Sequence, residues 1–188
     1  VIPEGHVVMG SVVGPVMIFN WVNEVLAEQG LPPAYALDVV GAESEKLTDH
    51  GVFAVRPNKL FVQVKRTDLV LIPAFAGNPM MSVMKNAEAI AWIRAMREGG
   101  AEVASMCTGA FLLAATGLLD GQRCTTHWAA ADLFRRTFTD VDLRVERIVT
   151  DENGLYSSGG AFSYLSLIMH LLGKFNGPDM ALLAAKTY

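Results

Sequence analysis

Hydrophobic positions along the chain switch between two patterns. Residues 68–75 (DLVLIPAF) form an unbroken apolar run, and 101–106 (AEVASM) form a shorter one. Such runs are expected of parallel strands covered on both faces. Between them Met80, Val83, Ala87, Ile90 and Ile93 recur at helical spacing up to Gly99-Gly100, which predicts one helix. Val16, Phe19, Val22, Asn23 and Leu26 predict an earlier helix, opened by Gly14-Pro15 and stopped at Gly30-Leu31-Pro32-Pro33. Residues 35–40 read as a strand, 41–50 as a polar connection, and 51–55 with 60–64 as a hairpin turning at Arg56-Pro57-Asn58. Further on, 123–126 reads as a strand and 127–136 as a helix. Residues 143–149 and 154–157 read as strands around Asp151-Glu152-Asn153. Ser158-Gly159-Gly160 is a small-residue turn into a helix over 162–172. Asn176-Gly177-Pro178-Asp179 breaks that helix, and a last helix runs to Tyr188 without a stop signal. Val1 to Gly5 reads as a strand end and a turn. A first strand is normally longer than two residues, so the native chain is expected to begin a few residues earlier. Alternating strands and helices predict an α/β domain with a mostly parallel sheet, occupying all of residues 1–188.

The stretch that organises the rest is GAEVASMCTGAFLLAATGLLD, residues 100–120. Cys107 follows directly on a buried strand. Thr108, Gly109 and Ala110 are small, and residues 111–119 read as an apolar helix. This is the sequence form of a nucleophile elbow, where a tight strand-to-helix turn exposes a side chain. Gly109 would permit close approach of helix and strand, and a helix N-terminus favours thiolate. The alternative is that Cys107 is a small buried hydrophobe. Ligands of open parallel sheets sit at the C-terminal ends of the strands. Cys107, the loop Ala76-Gly77-Asn78, the junction Thr126-His127 and the turn Ser158-Gly159-Gly160 all occupy such ends, so they are expected to form one pocket.

Composition narrows the function classes. With 188 residues, 52% of them hydrophobic, the chain can bury a substantial core. A net charge of −4 supplies no basic field for nucleic acid. Two cysteines without regular spacing indicate neither a disulfide framework nor a zinc site, and a reducing cytoplasmic compartment is the default. The four histidines and two cysteines share no metal-ligand spacing; neither a metal nor a cofactor is expected. No apolar run reaches membrane-spanning length, and no signal peptide is visible.

The block Cys107 to Trp128, CTGAFLLAATGLLDGQRCTTHW, resembles the elbow block of the ThiJ/PfpI superfamily, the class I glutamine-amidotransferase-like fold. Val13-Gly14-Pro15 with Phe19, Leu71-Ile72-Pro73, and Ser158-Gly159-Gly160 with His170 extend the resemblance over nearly the whole chain. It implies a three-layer α/β/α sandwich with a flavodoxin-like central sheet and homodimerisation. The Cys-Thr-Gly and Thr-Thr-His-Trp pair is similar to two groups within the superfamily: stand-alone isonitrile hydratases, and the N-terminal domain of AraC-type transcriptional regulators. In the regulators a helix-turn-helix DNA-binding domain follows, and residues 177–188 resemble the helix that leads into their linker. A DNA-binding domain is therefore expected beyond Tyr188, with DNA bound only through it.

Within this resemblance the hydratases carry an Asp three residues before the Gly-Pro, where this chain has Ser11. A serine is no general base at neutral pH without a partner, and Glu4, the nearby acid, does not match the motif position. The expectation is a domain that keeps the pocket without the chemistry: a sensor for a small metabolite, with Ser11, Ala76, Gly77, Asn78, Cys107, Thr108, His127 and Gly160 as ligand contacts. If the site is active, Cys107 and His127 carry it as an isonitrile hydratase or amidase. His127 reads equally as a cap at a strand end. The backbone N–H groups of Thr108 and of Gly77 or Ala76 would serve as oxyanion-type donors. Phe75, Trp128 and Phe162 are candidate pocket walls, with core packing the alternative. Cys124 reads as packing, His6 and His50 as solvated loop residues, His170 as a core or interface histidine, and Met80, Met81 and Met84 as packing or a dimer surface.

Overall fold

The computed structural model describes residues 1–48, 51–160 and 162–188. The chain runs β1 (His6–Val7), α1 (Gly10–Glu28), β2 (Val40–Gly41), β3 (Lys46–Thr48), β4 (Phe53–Val55), β5 (Lys59–Leu60), β6 (Leu69–Ile72), β7 (Phe75–Ala76), α2 (Pro79–Lys85), α3 (Ala87–Glu98) and β8 (Glu102–Met106). It continues through α4 (Ala110–Ala115), β9 (Arg123–Cys124), α5 (Ala131–Thr137), β10 (Asp142–Leu143), β11 (Val149–Glu152), β12 (Leu155–Ser158), α6 (Ser163–Asn176) and α7 (Pro178–Thr187).

The protein is α/β. Its main sheet has the order β11-β12-β8-β6, with β12, β8 and β6 parallel and β11 antiparallel to β12. Both faces of β8 are buried, as its apolar run requires. On one face Val103 joins a cluster with Ile93 and Met96 of α3 and with Phe111 to Ala114 of α4. On the other, Ala104 and Met106 join Phe19 and Val22 of α1 and Leu167, Ile168, Leu171 and Leu172 of α6. Helix α7 packs on α6 and α1.

Several sequence expectations are corrected. Helix α1 begins at Gly10, so Pro15 lies inside it; the helix buries Ser11, Pro15, Ile18, Phe19 and Val22, while Val16, Asn23 and Leu26 are half-buried. The single helix expected over 80–98 is two, broken at Asn86. The buried Asn86 side chain accepts from Glu4 N–H (2.6 Å) and donates to the carbonyls of Glu4 and Ser82 (2.9 and 2.7 Å). The hairpin pairs β3 with β4, not 51–55 with 60–64. Asn58 turns back on Val39, donating its N–H to Val39 O (2.9 Å) and accepting Val39 N–H at Oδ1 (2.7 Å), which aligns β5 parallel to β2. Of 35–40 only Val40 is in a strand. Of 143–149 only the two ends are, because Arg144 N–H closes onto Cys124 O (2.7 Å) and Arg147 N–H onto Arg144 O (3.1 Å). The second turn narrows to Asn153-Gly154, both at positive φ. Helix α6 runs four residues past its expected end, to Asn176. His6 is an exposed strand residue rather than a loop residue, and His50 lies outside the described residues.

Candidate functional site

Strand β8 ends at Met106, and the chain turns through a 3-10 turn, Cys107–Gly109, into α4. Cys107 sits in this turn at φ +55°, a left-handed conformation unusual for a side-chain-bearing residue. Gly109 is obligatory behind it: a Cβ there would lie 2.7 Å from Pro73 O and 2.8 Å from Ile72 O. The helix is thus seated directly on the end of β6.

Hydrogen bonds draw the other strand ends to Cys107. Thr108 Oγ1 donates to Phe75 O (2.6 Å) and accepts Phe75 N–H (2.8 Å), bringing in β7 and the loop Ala76-Gly77-Asn78. Thr126 Oγ1 donates to Cys107 O (3.0 Å), placing the Thr126-His127 junction alongside. Ser158 pairs with Met106 across the ladder, so the Ser158-Gly159-Gly160 turn begins beside the cysteine. Gly159 must be glycine, since a Cβ would meet Thr125 Oγ1 at 2.6 Å and Thr126 O at 3.0 Å. Phe75, Thr126 and Ser158, each at or next to one of the other three expected segments, are thus tied to the turn that holds Cys107.

The polar side chains at these positions are mostly engaged with backbone. Ser11 is buried; its hydroxyl donates to Val8 O (2.7 Å) and accepts Ala74 N–H (2.9 Å), tying α1 to the segment between β6 and β7. Asn78 caps α2 through the N–H groups of Met80 and Met81 (3.0 and 3.4 Å). His127 Nδ1 accepts Ala129 N–H (3.2 Å) as a cap, and among the described residues no hydrogen bond joins it to Cys107. Ala76 is exposed at the end of β7, and Gly77 follows at φ +91°. Gly160 has open surroundings, its nearest neighbour being Ser163 Oγ at 3.5 Å from a notional Cβ.

The expected lowering of the Cys107 pKa does not occur. Burial pushes the thiol up from its ordinary value, and the N–H and hydroxyl of Thr108 only partly oppose this. Cys124, fully buried in β9, is pushed up to about 12 by burial and is packing, as expected. Phe75 belongs to the core, whereas Trp128 and Phe162 are 72% and 78% exposed and remain available as pocket walls. Trp128 stacks on His127 with centroids 5.6 Å apart. His170 is exposed and paired with Asp151 (2.8 Å), so of the two expected places, core or interface, the core is excluded. Met80 packs on the core, and Met81 and Met84 are exposed. Among the described residues no group of His, Cys, Asp and Glu could hold a metal ion. No helix among them is long and apolar enough to cross a membrane.

Sequence reading missed two members. In the sequence Thr126 reads only as part of a junction, and Ser158 only as a small turn residue. Ser158 Oγ is fully buried and, among the described residues, has no hydrogen-bond partner. Its pairing with the residue before Cys107 follows from strand register, which no local motif carries.

The DJ-1/PfpI family profile matches residues 19–173. The chain belongs to the DJ-1/PfpI family. Over 98% of its length it is 26% identical to the HTH-type transcriptional regulator CdhR of Pseudomonas aeruginosa, and spans 52% of that protein. It is 29% identical over 149 residues to an isonitrile hydratase of Pseudomonas putida, covering 79% of this chain and 63% of the hydratase. The chain thus spans between half and two thirds of the length of these relatives. Among solved structures, an AraC family transcriptional regulator from Pseudomonas putida superposes with a TM-score of 0.81 over 97% of this chain and 94% of that one, at 15% identity, a likeness of fold alone. Transcriptional regulators are thus among the homologues of this DJ-1/PfpI domain.

Proposed function

We propose that this domain is the ligand-sensing and dimerisation part of an AraC-family transcriptional regulator, binding a small metabolite beside Cys107. In this reading residues 1–188 form a single three-layer α/β/α domain, and DNA is bound in the cytoplasm by a helix-turn-helix domain following Tyr188. The observation that carries the sensor reading is the state of the site's polar groups. Ser11 stands where the hydratases carry an acid, and its hydroxyl is committed to Val8 and Ala74. His127 Nδ1 is committed to a cap, and burial pushes the thiol's pKa up. The Ser158 hydroxyl, buried and without a partner among the described residues, supports a bound group with hydrogen-bonding capacity, since an unsatisfied buried hydroxyl is costly. Similarity to a regulator over 98% of this chain and 52% of that protein supports the same reading. Ligand binding would bias two arrangements of the attached domains through differential affinity.

The test is a thermal-shift screen of small amines, amides and carboxylates on the parent and on Cys107→Ala. A compound that raises the parent's Tm and shifts the variant less is expected. Identical shifts in both proteins remove Cys107 from the binding site.

A second reading, a cysteine-dependent hydratase or amidase, is favoured by the left-handed turn at Cys107, the conformation of a nucleophile elbow. It requires thiolate near neutral pH. Rapid alkylation of Cys107 by iodoacetamide at pH 6 would favour it; slow alkylation that climbs only in alkali supports the sensor.

A further inference from the structure

Strand β11 is an edge of the main sheet: the order β11-β12-β8-β6 gives it a ladder neighbour on one side. The phase of its pairing with β12 decides which backbone groups that neighbour uses. Gly159 N–H donates to Ile148 O (3.1 Å), so Ile148, Thr150 and Glu152 turn their backbone groups toward β12. The far side of β12 keeps the same phase, since Val103 N–H donates to Gly154 O (2.9 Å) from β8. The N–H and C=O of Val149 and Asp151 therefore turn outward from the sheet. Among the described residues no hydrogen bond takes them up. An open edge of this kind is a template for pairing with another chain.

The ribbon β9-β10 does not close this edge. It is joined to one face of the hairpin β11-β12 through side chains: Arg123 N–H donates to Glu152 Oε2 (2.6 Å), and Thr125 N–H to Ser157 Oγ (2.7 Å). A ladder partner would use backbone carbonyls instead. Beside β11 there remains a groove of about 340 Å³, lined by residues 149–151 and by Arg123, Arg144, Glu146 and Arg147.

Most of the charge at the groove is already paired. Arg123 is held by Glu152 (3.0 Å) and Arg144 by Asp142 (2.7 Å), with Glu146 also acting on Arg144. Asp151 is held by His170 (2.8 Å) and Lys174 (3.6 Å) of α6. Arg147 is the one cation of the groove without an ion pair among the described residues, and it stands where β11 begins. Its backbone is fixed there: the N–H donates to Arg144 O (3.1 Å), and the carbonyl accepts Thr125 Oγ1 (3.0 Å). The next residue, Ile148, is a large apolar side chain left 64% exposed.

We infer that the β11 edge is a docking site for an extended peptide of about five residues, β-branched and carrying a carboxylate side chain near its C-terminal end. Antiparallel addition places that end at Arg147. The peptide backbone would bond Val149 and Asp151, its apolar side chains would fall on the face of Ile148, and its carboxylate would meet the Arg147 guanidinium.

The probe is acetyl-Thr-Val-Thr-Val-Glu-amide. One control carries Lys in place of Glu; the other has both threonines N-methylated, which keeps every side chain and removes the N–H donors that face β11. In the free chain the Val149 and Asp151 amides should exchange fast, and saturating probe is expected to slow both by at least about tenfold. Both control peptides are expected to bind at least about tenfold more weakly than the probe, as is the probe itself to Arg147→Glu. That variant should keep the parent's Tm, since Arg147 is exposed and unpaired among the described residues. No binding of the probe up to about 1 mM, or equal affinity of the N-methylated peptide, would overturn the inference. Two other results would also overturn it. Equal amide shifts with acetate alone would make the groove an anion site. A dimer paired through these amides and dispersed by Arg147→Glu would put a second copy of this chain on the edge.

Discussion

One hydroxyl, that of Thr108, holds both backbone groups of Phe75: it accepts the N–H at 2.8 Å and donates to the carbonyl at 2.6 Å. The residue after the cysteine therefore does what a neighbouring strand would do for β7. Replacing Thr108 by Val keeps the shape and leaves both groups unpaired. The expected loss is about 1–3 kcal/mol in urea unfolding, with Thr108→Ser close to the parent. Equal midpoints for Thr108→Val and the parent would show that the clamp contributes nothing.

Alkaline pH should weaken the fold through Cys124. Its thiol is pushed from 9.0 up to about 12 by burial. Between those values the unfolded chain has released the proton and the folded chain has kept it. The unfolded state then binds fewer protons, so stability falls as pH rises, by about 1.4 kcal/mol per pH unit for one such group. Cys107, also raised, acts in the same direction. Urea midpoints measured from pH 8 to 10 should fall less steeply for Cys124→Ala than for the parent.

His127 offers a separation of roles. Its Nδ1 caps the turn at Ala129. His127→Ala should cost about 1 kcal/mol, while His127→Asn, which retains a capping acceptor, should cost much less. Neither change should alter the pH profile of Cys107 alkylation. A profile displaced in both variants would make His127 the proton partner of the thiol.

Two adjacent glycines should differ sharply. Gly159→Ala forces a Cβ to 2.6 Å from Thr125 Oγ1 and 3.0 Å from Thr126 O, and is expected to lower stability by about 1–3 kcal/mol. Gly160→Ala meets nothing closer than 3.5 Å and should be tolerated. Thermal denaturation of the two variants side by side checks this; similar Tm values would mean that the turn adjusts freely.

The α/β class, the central strands and the place of Cys107 were legible because long apolar runs and small-residue turns report directly on burial. The hairpin was misplaced because Asn58 bonds to Val39, a contact that turn propensity cannot reveal. The helix break at Asn86 follows from Glu4, equally invisible locally. At the site, sequence identified the segments that meet, but not what each side chain does there. Ser11, Asn78 and His127 are polar residues at strand ends, and nothing in their spacing distinguishes a group free for a ligand from one bound to backbone. The high pKa of Cys107 has the same origin, since desolvation depends on everything packed around the sulfur.

The joint at Asn86 also bears on the order in which the chain assembles. Its side chain satisfies both backbone groups of Glu4 across 82 residues of sequence. Closing so long a loop is entropically costly until the intervening elements are in place. The opening segment should therefore lock down late, after α2 and α3 have met. In a pulse-labelled refolding experiment the Glu4 amide would gain protection behind those of the helices, so that this joint settles only once its two distant halves have been brought together by everything between them.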